Sequence, residues 1–103
     1  MEGDSLAPPC QADMNIVAAI LDLAEPSEED HVFDLGCGDG RICIEASMKY
    51  GCLSTGVEIE TRLLDLFLER VEKCNLLDLV NIVKGDLRQV DLSDATIAIV
   101  YLL

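Results

Sequence analysis

The stretch Asp34-Leu35-Gly36-Cys37-Gly38-Asp39-Gly40-Arg41 decides the fold of this chain. An apolar strand pattern, residues 31–35, leads into its glycines, and a helical pattern, residues 41–50, follows them. Glycines let the backbone turn tightly and approach a ligand closely. The start of the following helix offers free backbone N–H groups to whatever lies beside it. The stretch therefore predicts a strand, a turn and a helix that together form a nucleotide-cofactor site.

Helical and strand patterns alternate along the rest of the sequence. The predicted helices cover residues 14–24, with Asp13 as the cap, 41–50 and 61–75, and the predicted strands cover residues 31–35, 53–58, 80–83 and 95–103. Strands that alternate with helices predict an α/β fold, with a parallel sheet covered on its faces. The link at residues 85–94 is too short for a long crossover helix. At about 3.3 Å per residue it can still cross two neighbouring strands, which lie about 4.8 Å apart.

Length and charge limit the classes of protein and partner. A chain of 103 residues forms at most one domain, and half of its residues are hydrophobic, which predicts a globular chain. Its net charge of −13 argues against nucleic acid or an anionic membrane as a partner, because phosphate binding needs clustered lysine and arginine. Residues 1–9 carry no pattern of a signal or transit peptide, and no apolar run reaches membrane-spanning length.

The cysteines point to a reducing compartment. The chain has five cysteines without a Cys-x-x-Cys pair, and His31 is its single histidine, so no zinc pattern is present. An odd number of scattered thiols fits the cytoplasm. Cys37 lies at a helix start, where the pKa of a thiol can fall, but we favour its interpretation as a small residue that fits a tight turn.

The spacing of the glycines separates the possible cofactors. A dinucleotide fingerprint reads G-x-G-x-x-G. Here the third glycine, Gly40, comes one residue too early, and Arg41 occupies the position where the fingerprint has its last glycine. A phosphate-binding P-loop requires a lysine that this stretch lacks. The observed form is D-x-G-x-G-x-G, and its leading carboxylate, Asp34, favours a cationic ligand over a pyrophosphate.

This pattern resembles motif I of the class I S-adenosylmethionine-dependent methyltransferases. The resemblance implies S-adenosyl-L-methionine as the cofactor and a Rossmann-like parallel sheet. Glu58 ends the second strand, where a carboxylate can accept the ribose hydroxyls, and Ile59 beside it offers an apolar surface to the adenine. Asp86 follows the third strand, where the family often contacts the adenine amine. The implied cofactor-binding residues are Asp34, Gly36, Cys37, Gly38, Asp39, Gly40, Glu58, Ile59, Asp86 and Leu87.

Simpler roles stand beside four of these assignments. Asp39 is equally well explained as a helix cap, and Asp86 as a turn residue. Glu58 can be a solvated strand end, and Ile59 can belong to the core.

Two longer stretches resemble a small group within this superfamily. The first is residues 33–42, and the second comprises residues 85–87, 91–96 and 101–103. The group includes protein-lysine N-methyltransferases related to the one that acts on mitochondrial adenine nucleotide translocase and ATP synthase subunits. The resemblance implies a protein lysine as the methyl acceptor and admits a mitochondrial location, while small-molecule methylation remains open. Group members often carry a Pro-Thr/Ser-Pro element before the first helix, and this chain has Pro8-Pro9-Cys10-Gln11 instead.

The family sheet has seven strands, of which this chain supplies the first four in the order 3-2-1-4. We therefore expect a truncated product, with residues 1–12 as a polar leader and residues 13–103 as the N-terminal part of the methyltransferase domain. Tyr101 would lie near the methyl acceptor, although a core aromatic is the simpler interpretation. Residues 95–103 would form an exposed edge that pairs with another chain or makes the protein insoluble. The alternative function is a non-catalytic module that binds cofactor weakly or contacts a partner.

Overall fold

The computed structural model describes residues 11–100, which form a four-stranded sheet with three α-helices. The elements in chain order are α1 (Gln11–Ala24), β1 (His31–Leu35), α2 (Arg41–Tyr50), β2 (Leu53–Glu58), α3 (Thr61–Lys73), β3 (Val80–Lys84), a single 3₁₀ turn (Leu87–Gln89) and β4 (Ile97–Val100). No helix within these residues is long and apolar enough to span a bilayer. The alternation of helices and strands confirms the predicted α/β class.

The sheet has the order β3-β2-β1-β4, and every neighbouring pair is parallel. This confirms the predicted Rossmann-like topology. Leu35 at the end of β1 pairs with Val57 near the end of β2, so the loops that follow these strands leave the sheet side by side. The β4 strand lies at an edge, where Val100 is exposed, and pairing of this edge with another chain stays a prediction.

The two faces of the sheet are covered differently. Val32 and Val80 share the face on which all three helices pack, and Phe67 of α3 is buried there. The opposite face carries Phe33 and Leu35, which are covered by the segment between β3 and β4. Within the described part of the chain, helices thus cover one face only, where the sequence pattern predicts cover on both.

The bounds of four elements, α1, α3, β3 and β4, differ from the predicted ones. Helix α1 begins at Gln11 rather than residue 14, because Gln11 and Ala12 are good helix formers, and Asp13 therefore lies in the first turn instead of capping it. Helix α3 ends at Lys73, because Asn75 adopts a left-handed φ of 61°. Strand β3 gains Lys84, which pairs with Glu58.

The region after α3 and the extent of β4 also differ from the sequence pattern. The end of α3 leaves Cys74 exposed, although the helical pattern placed it in the apolar stripe. The predicted strand 95–103 is observed as Ile97–Val100, and its last residues, 101–103, lie outside the described part of the chain.

The ring of Phe67 holds α3 against the sheet and the glycine-rich loop. Gly40 has a φ of 85°, and a Cβ atom there would overlap the Phe67 ring. A Cβ atom on Gly56 of β2 would lie 2.5 Å from Cε2 of Phe67 and 2.8 Å from Sγ of Cys37. The ring, which is fully buried, therefore occupies the space that side chains at positions 40 and 56 would need.

We predict that Gly40→Ala and Gly56→Ala each lower the free energy of unfolding by about 2 kcal/mol or more, because the added methyl group overpacks the Phe67 ring. Gly85→Ala is the matched control, since a Cβ atom there meets nothing within 4 Å, and it should change stability by less than about 1 kcal/mol. Urea denaturation monitored by circular dichroism measures these differences. Equal effects of all three substitutions would contradict the packing argument.

Candidate cofactor site

A cavity of about 660 Å³ opens at the carboxyl ends of β1, β2 and β3. Ligands of open parallel sheets bind outside the carboxyl ends of the strands. The cavity brings together nine of the ten cofactor-binding residues predicted from the sequence: Asp34, Gly36, Cys37, Gly38, Asp39, Glu58, Ile59, Asp86 and Leu87. The tenth, Gly40, does not line the cavity and is buried on the side of the loop that packs against Phe67.

The glycine-rich loop is tied to the end of β2. The backbone N–H groups of Gly36 and Cys37 both donate to the carbonyl oxygen of Val57, at 2.8 and 3.0 Å. Gly36, Gly38 and Gly40 all have positive φ, which explains why this turn contains three glycines. The loop therefore brings main-chain atoms, rather than bulky side chains, to the cavity wall.

The carboxylate of Glu58 joins the loop to the strand end. Its Oε1 accepts the N–H of Gly38 at 2.8 Å. Its Oε2 accepts the N–H groups of Ile59 and Glu60, at 3.1 and 3.0 Å. The half-buried Glu58 is thus more than a solvated strand end, because three backbone donors fix its orientation in the cavity wall.

Asp34 carries a buried carboxylate with one unpaired oxygen. The residue is 1% exposed, and its Oδ1 has no hydrogen-bond partner among the described atoms. Burial, together with the nearby charge of Glu58, raises the pKa of Asp34 to about 7. A buried acceptor without a donor is costly unless a ligand supplies one, so the site fits a ligand with a cationic donor.

Asp39 belongs to an ion-pair cluster. The N-cap of α2 is Gly40 and no side chain caps it, so the helix-cap interpretation of Asp39 is wrong. The carboxylate instead accepts Nε and Nη2 of Arg41 at 3.1 and 2.9 Å, and Nη1 of Arg70 lies 2.8 Å away. A proposed contact of Asp39 with the cofactor must coexist with these two guanidinium groups.

The far side of the cavity is formed by the residues after β2 and β3. Asp86 accepts the backbone N–H of Arg88 at 2.9 Å and caps the 3₁₀ turn, which confirms its interpretation as a turn residue. The same carboxylate pairs with the Arg88 guanidinium, and these bonds lower the pKa of Asp86 to about 2. Ile59 is 66% exposed, so its interpretation as a core residue is wrong and its surface faces the cavity mouth.

The remaining sequence predictions concern Cys37 and Tyr101. Cys37 is buried, and burial raises the pKa of its thiol, so the thiol stays protonated and acts as a small residue in the turn. Tyr101 lies outside the described residues.

Sequence reasoning missed seven side chains that line the cavity, namely Asp13, Val17, Arg41, Ile42, Val57, Leu63 and Arg88. Arg41 directly follows Gly40, the last glycine of the loop, and that position in the sequence could have indicated its place in the cavity. Asp13 and Leu63 lie on different helices, and only the packing of those helices brings them to the cavity.

We predict that Asp34→Asn stabilises the ligand-free chain in a pH-dependent way. The pKa of Asp34 is raised from 3.8 to about 7 in the folded state. Its contribution to the free energy of unfolding is therefore fully present below about pH 4 and is lost as the pH rises to about pH 7. The advantage of the variant should therefore grow between about pH 4 and about pH 7, by at most about 4 kcal/mol. Urea unfolding across this range measures it. Asp22→Asn, at an exposed position of α1, is the control, and a difference that does not change with pH would contradict the prediction.

Comparison with known proteins places these features in a family. Residues 34–103 match the ANTKMT methyltransferase domain. A protein of Saccharolobus islandicus (strain REY15A) described as a protein-lysine N-methyltransferase is 39% identical over 89 residues, which cover 85% of this chain and 55% of that protein.

Solved structures agree with this assignment. The crystal structure of an RNA methyltransferase from Salinibacter ruber, in complex with S-adenosyl-L-homocysteine, is 36% identical with a TM-score of 0.84, and the match covers 94% of this chain and 61% of that one. A methyltransferase from Geobacter sulfurreducens in complex with the same ligand shares the fold at 21% identity, with a TM-score of 0.76 over 84% of this chain and 35% of that one. The chain spans 55% and 61% of the first two relatives. Family match and fold together show that the chain belongs to the ANTKMT methyltransferase domain family, within the class I S-adenosylmethionine-dependent methyltransferases.

Proposed function

We propose that this chain binds S-adenosyl-L-methionine in the cavity at the ends of β1–β3 and serves methyl transfer to a lysine side chain of a protein. The observation that carries the proposal is the unpaired Oδ1 of buried Asp34, beside a glycine-rich loop and next to Glu58. When bound, the cofactor would supply a methyl carbon on a cationic sulfur: a nucleophile would attack that carbon in line, the C–S bond would break, and S-adenosyl-L-homocysteine would leave as a neutral thioether.

Asp34 and Glu58 have distinct tasks in this proposal. The unpaired oxygen of Asp34 accepts a hydrogen bond from the ammonium group of the methionine moiety, which also favours the ionised carboxylate. Glu58 receives the ribose. Its Oε2 already accepts two N–H groups whereas Oε1 accepts one, so Oε1 has a free lone pair for a ribose hydroxyl.

The adenine is proposed to lie between the exposed side chain of Ile59 and the 3₁₀ turn after Asp86. Ile59 offers an apolar surface to the base, and Leu87 lines the same cavity. The carboxylate of Asp86 is already held by Arg88, so a hydrogen bond from the adenine amine would add to that pair. The main-chain cradle of the glycine-rich loop leaves room for the rest of the cofactor.

A lysine acceptor is supported by similarity to a described protein and by the net charge of this chain. The Saccharolobus islandicus relative is described as a protein-lysine N-methyltransferase. The Salinibacter ruber relative is described as an RNA methyltransferase, so RNA is the competing acceptor. With a net charge of −13, this chain attracts a lysine-rich peptide and repels a polyanion, which favours the lysine.

We predict that the protein transfers a tritiated methyl group from S-adenosyl-L-methionine to poly-L-lysine and not to RNA. Glu58→Ala should reduce this transfer by about tenfold or more, because the ribose contact and the bond to the loop are both lost. Glu60→Ala is the matched control, since Glu60 is the next acidic side chain, is exposed, and makes no capping bond. Scintillation counting of acid-precipitated polymer measures the transfer.

Two outcomes would contradict the proposal. Label in RNA would replace lysine by a nucleic acid acceptor. Cofactor binding without label in either polymer would favour the alternative of a non-catalytic cofactor-binding module.

A further inference from the structure

Arg41 holds two carboxylates of unequal exposure at the edge of the cavity. Its Nε and Nη2 bind Asp39, at 3.1 and 2.9 Å, and the Asp39 side chain is 2% exposed. Its Nη1 lies 3.4 Å from the carboxylate of Asp13, whose side chain is 44% exposed. The pair with Asp39 is therefore fixed and buried, whereas the pair with Asp13 is long, peripheral and easily exchanged.

The charged side chains that line the cavity are acidic, apart from the guanidinium groups of Arg41 and Arg88. Arg88 is committed to Asp86 on its own turn through Nε at 3.0 Å and Nη2 at 2.6 Å. Both arginines therefore use the Nε and Nη2 edge for a neighbouring carboxylate, and they differ in position. Arg41 begins α2 directly after the glycine-rich loop that follows Asp34, whereas Arg88 lies on the turn after β3 with its side chain 81% exposed. A ligand that carries both an ammonium group and a carboxylate needs a hydrogen-bond acceptor and a donor in one cavity. The unpaired Oδ1 of Asp34 can accept from the ammonium group, and the guanidinium of Arg41 can donate to the carboxylate.

We propose that the carboxylate of the methionine moiety of the cofactor binds Nη1 of Arg41 in place of Asp13. This inference rests on the proposed function and extends it. One carboxylate replaces another on the same guanidinium, so the charge around Arg41 is conserved while Asp13 moves into solvent. Asp13 is therefore an internal competitor of the cofactor carboxylate, and cofactor binding releases the first turn of α1 from the start of α2.

The test compares two ligands by isothermal titration calorimetry. S-adenosyl-L-homocysteine carries the carboxylate, whereas its decarboxylated analogue keeps the ammonium group and lacks only the carboxylate. Arg41→Gln should raise the Kd for S-adenosyl-L-homocysteine by about tenfold or more and leave the Kd for the analogue unchanged or lower. Asp13→Asn should lower the Kd for S-adenosyl-L-homocysteine by about two- to fivefold and leave that for the analogue unchanged.

Two exposed residues outside the cavity provide matched controls. Asp22→Asn changes a carboxylate on α1, and Arg62→Gln changes a guanidinium on α3. Both should leave both dissociation constants unchanged. Thermal unfolding of every variant checks that the chain is folded, and Asp13→Asn tests the inference independently if Arg41→Gln unfolds.

The outcomes separate this inference from the function on which it rests. If Arg41→Gln weakens both ligands equally, Arg41 acts only by ordering the loop through Asp39, and the inference is overturned. The inference also fails if Asp13→Asn leaves the affinity for S-adenosyl-L-homocysteine unchanged. If the unaltered chain is folded and binds neither ligand, the proposed function itself falls, and the inference falls with it.

Discussion

The contact of the Phe67 ring with Gly40 and Gly56 is the constraint on which the rest of the structure depends. The ring fills the space that two side chains would otherwise occupy, so α3 lies directly against β2 and the glycine-rich loop. This approach brings Arg70 of α3 to Asp39 at 2.8 Å. The glycine-rich loop packs against Phe67 of α3 on one side and is held by the bond between Gly38 and Glu58 on the other. These two contacts place its main chain at the cavity wall.

The same arrangement places charge where it opposes folding. Burial raises the pKa of Asp34, and the nearby charge of Glu58 adds to that effect. A chain selected only for stability would avoid a buried carboxylate with an unpaired oxygen, whereas a binding site keeps it because the ligand provides the missing donor. The energetic conflict in the ligand-free chain is thus a physical argument for a cationic ligand.

Sequence patterns predicted the bounds of β1, α2 and β2, because glycines and a sharp change of periodicity mark these elements. The order of the strands came from the family resemblance, and the sheet confirms it. Sequence reasoning placed Glu58 and Asp86 at strand ends from spacing alone. It could not assign Asp39, whose partners come from α2 and from distant α3, because side-chain pairing across elements depends on the packing that Phe67 sets. The start of α1 was placed too late because Asp13 is a residue type that favours the N-cap, whereas Pro9, two residues before Gln11, was the signal for the earlier start.

The crystal structure of this chain with S-adenosyl-L-homocysteine tests the central claim most directly. The account predicts the ligand in the cavity at the ends of β1–β3, with its ammonium group on Oδ1 of Asp34 and a ribose hydroxyl on Oε1 of Glu58. A ligand bound elsewhere, or one that leaves Oδ1 of Asp34 without a donor, would contradict it.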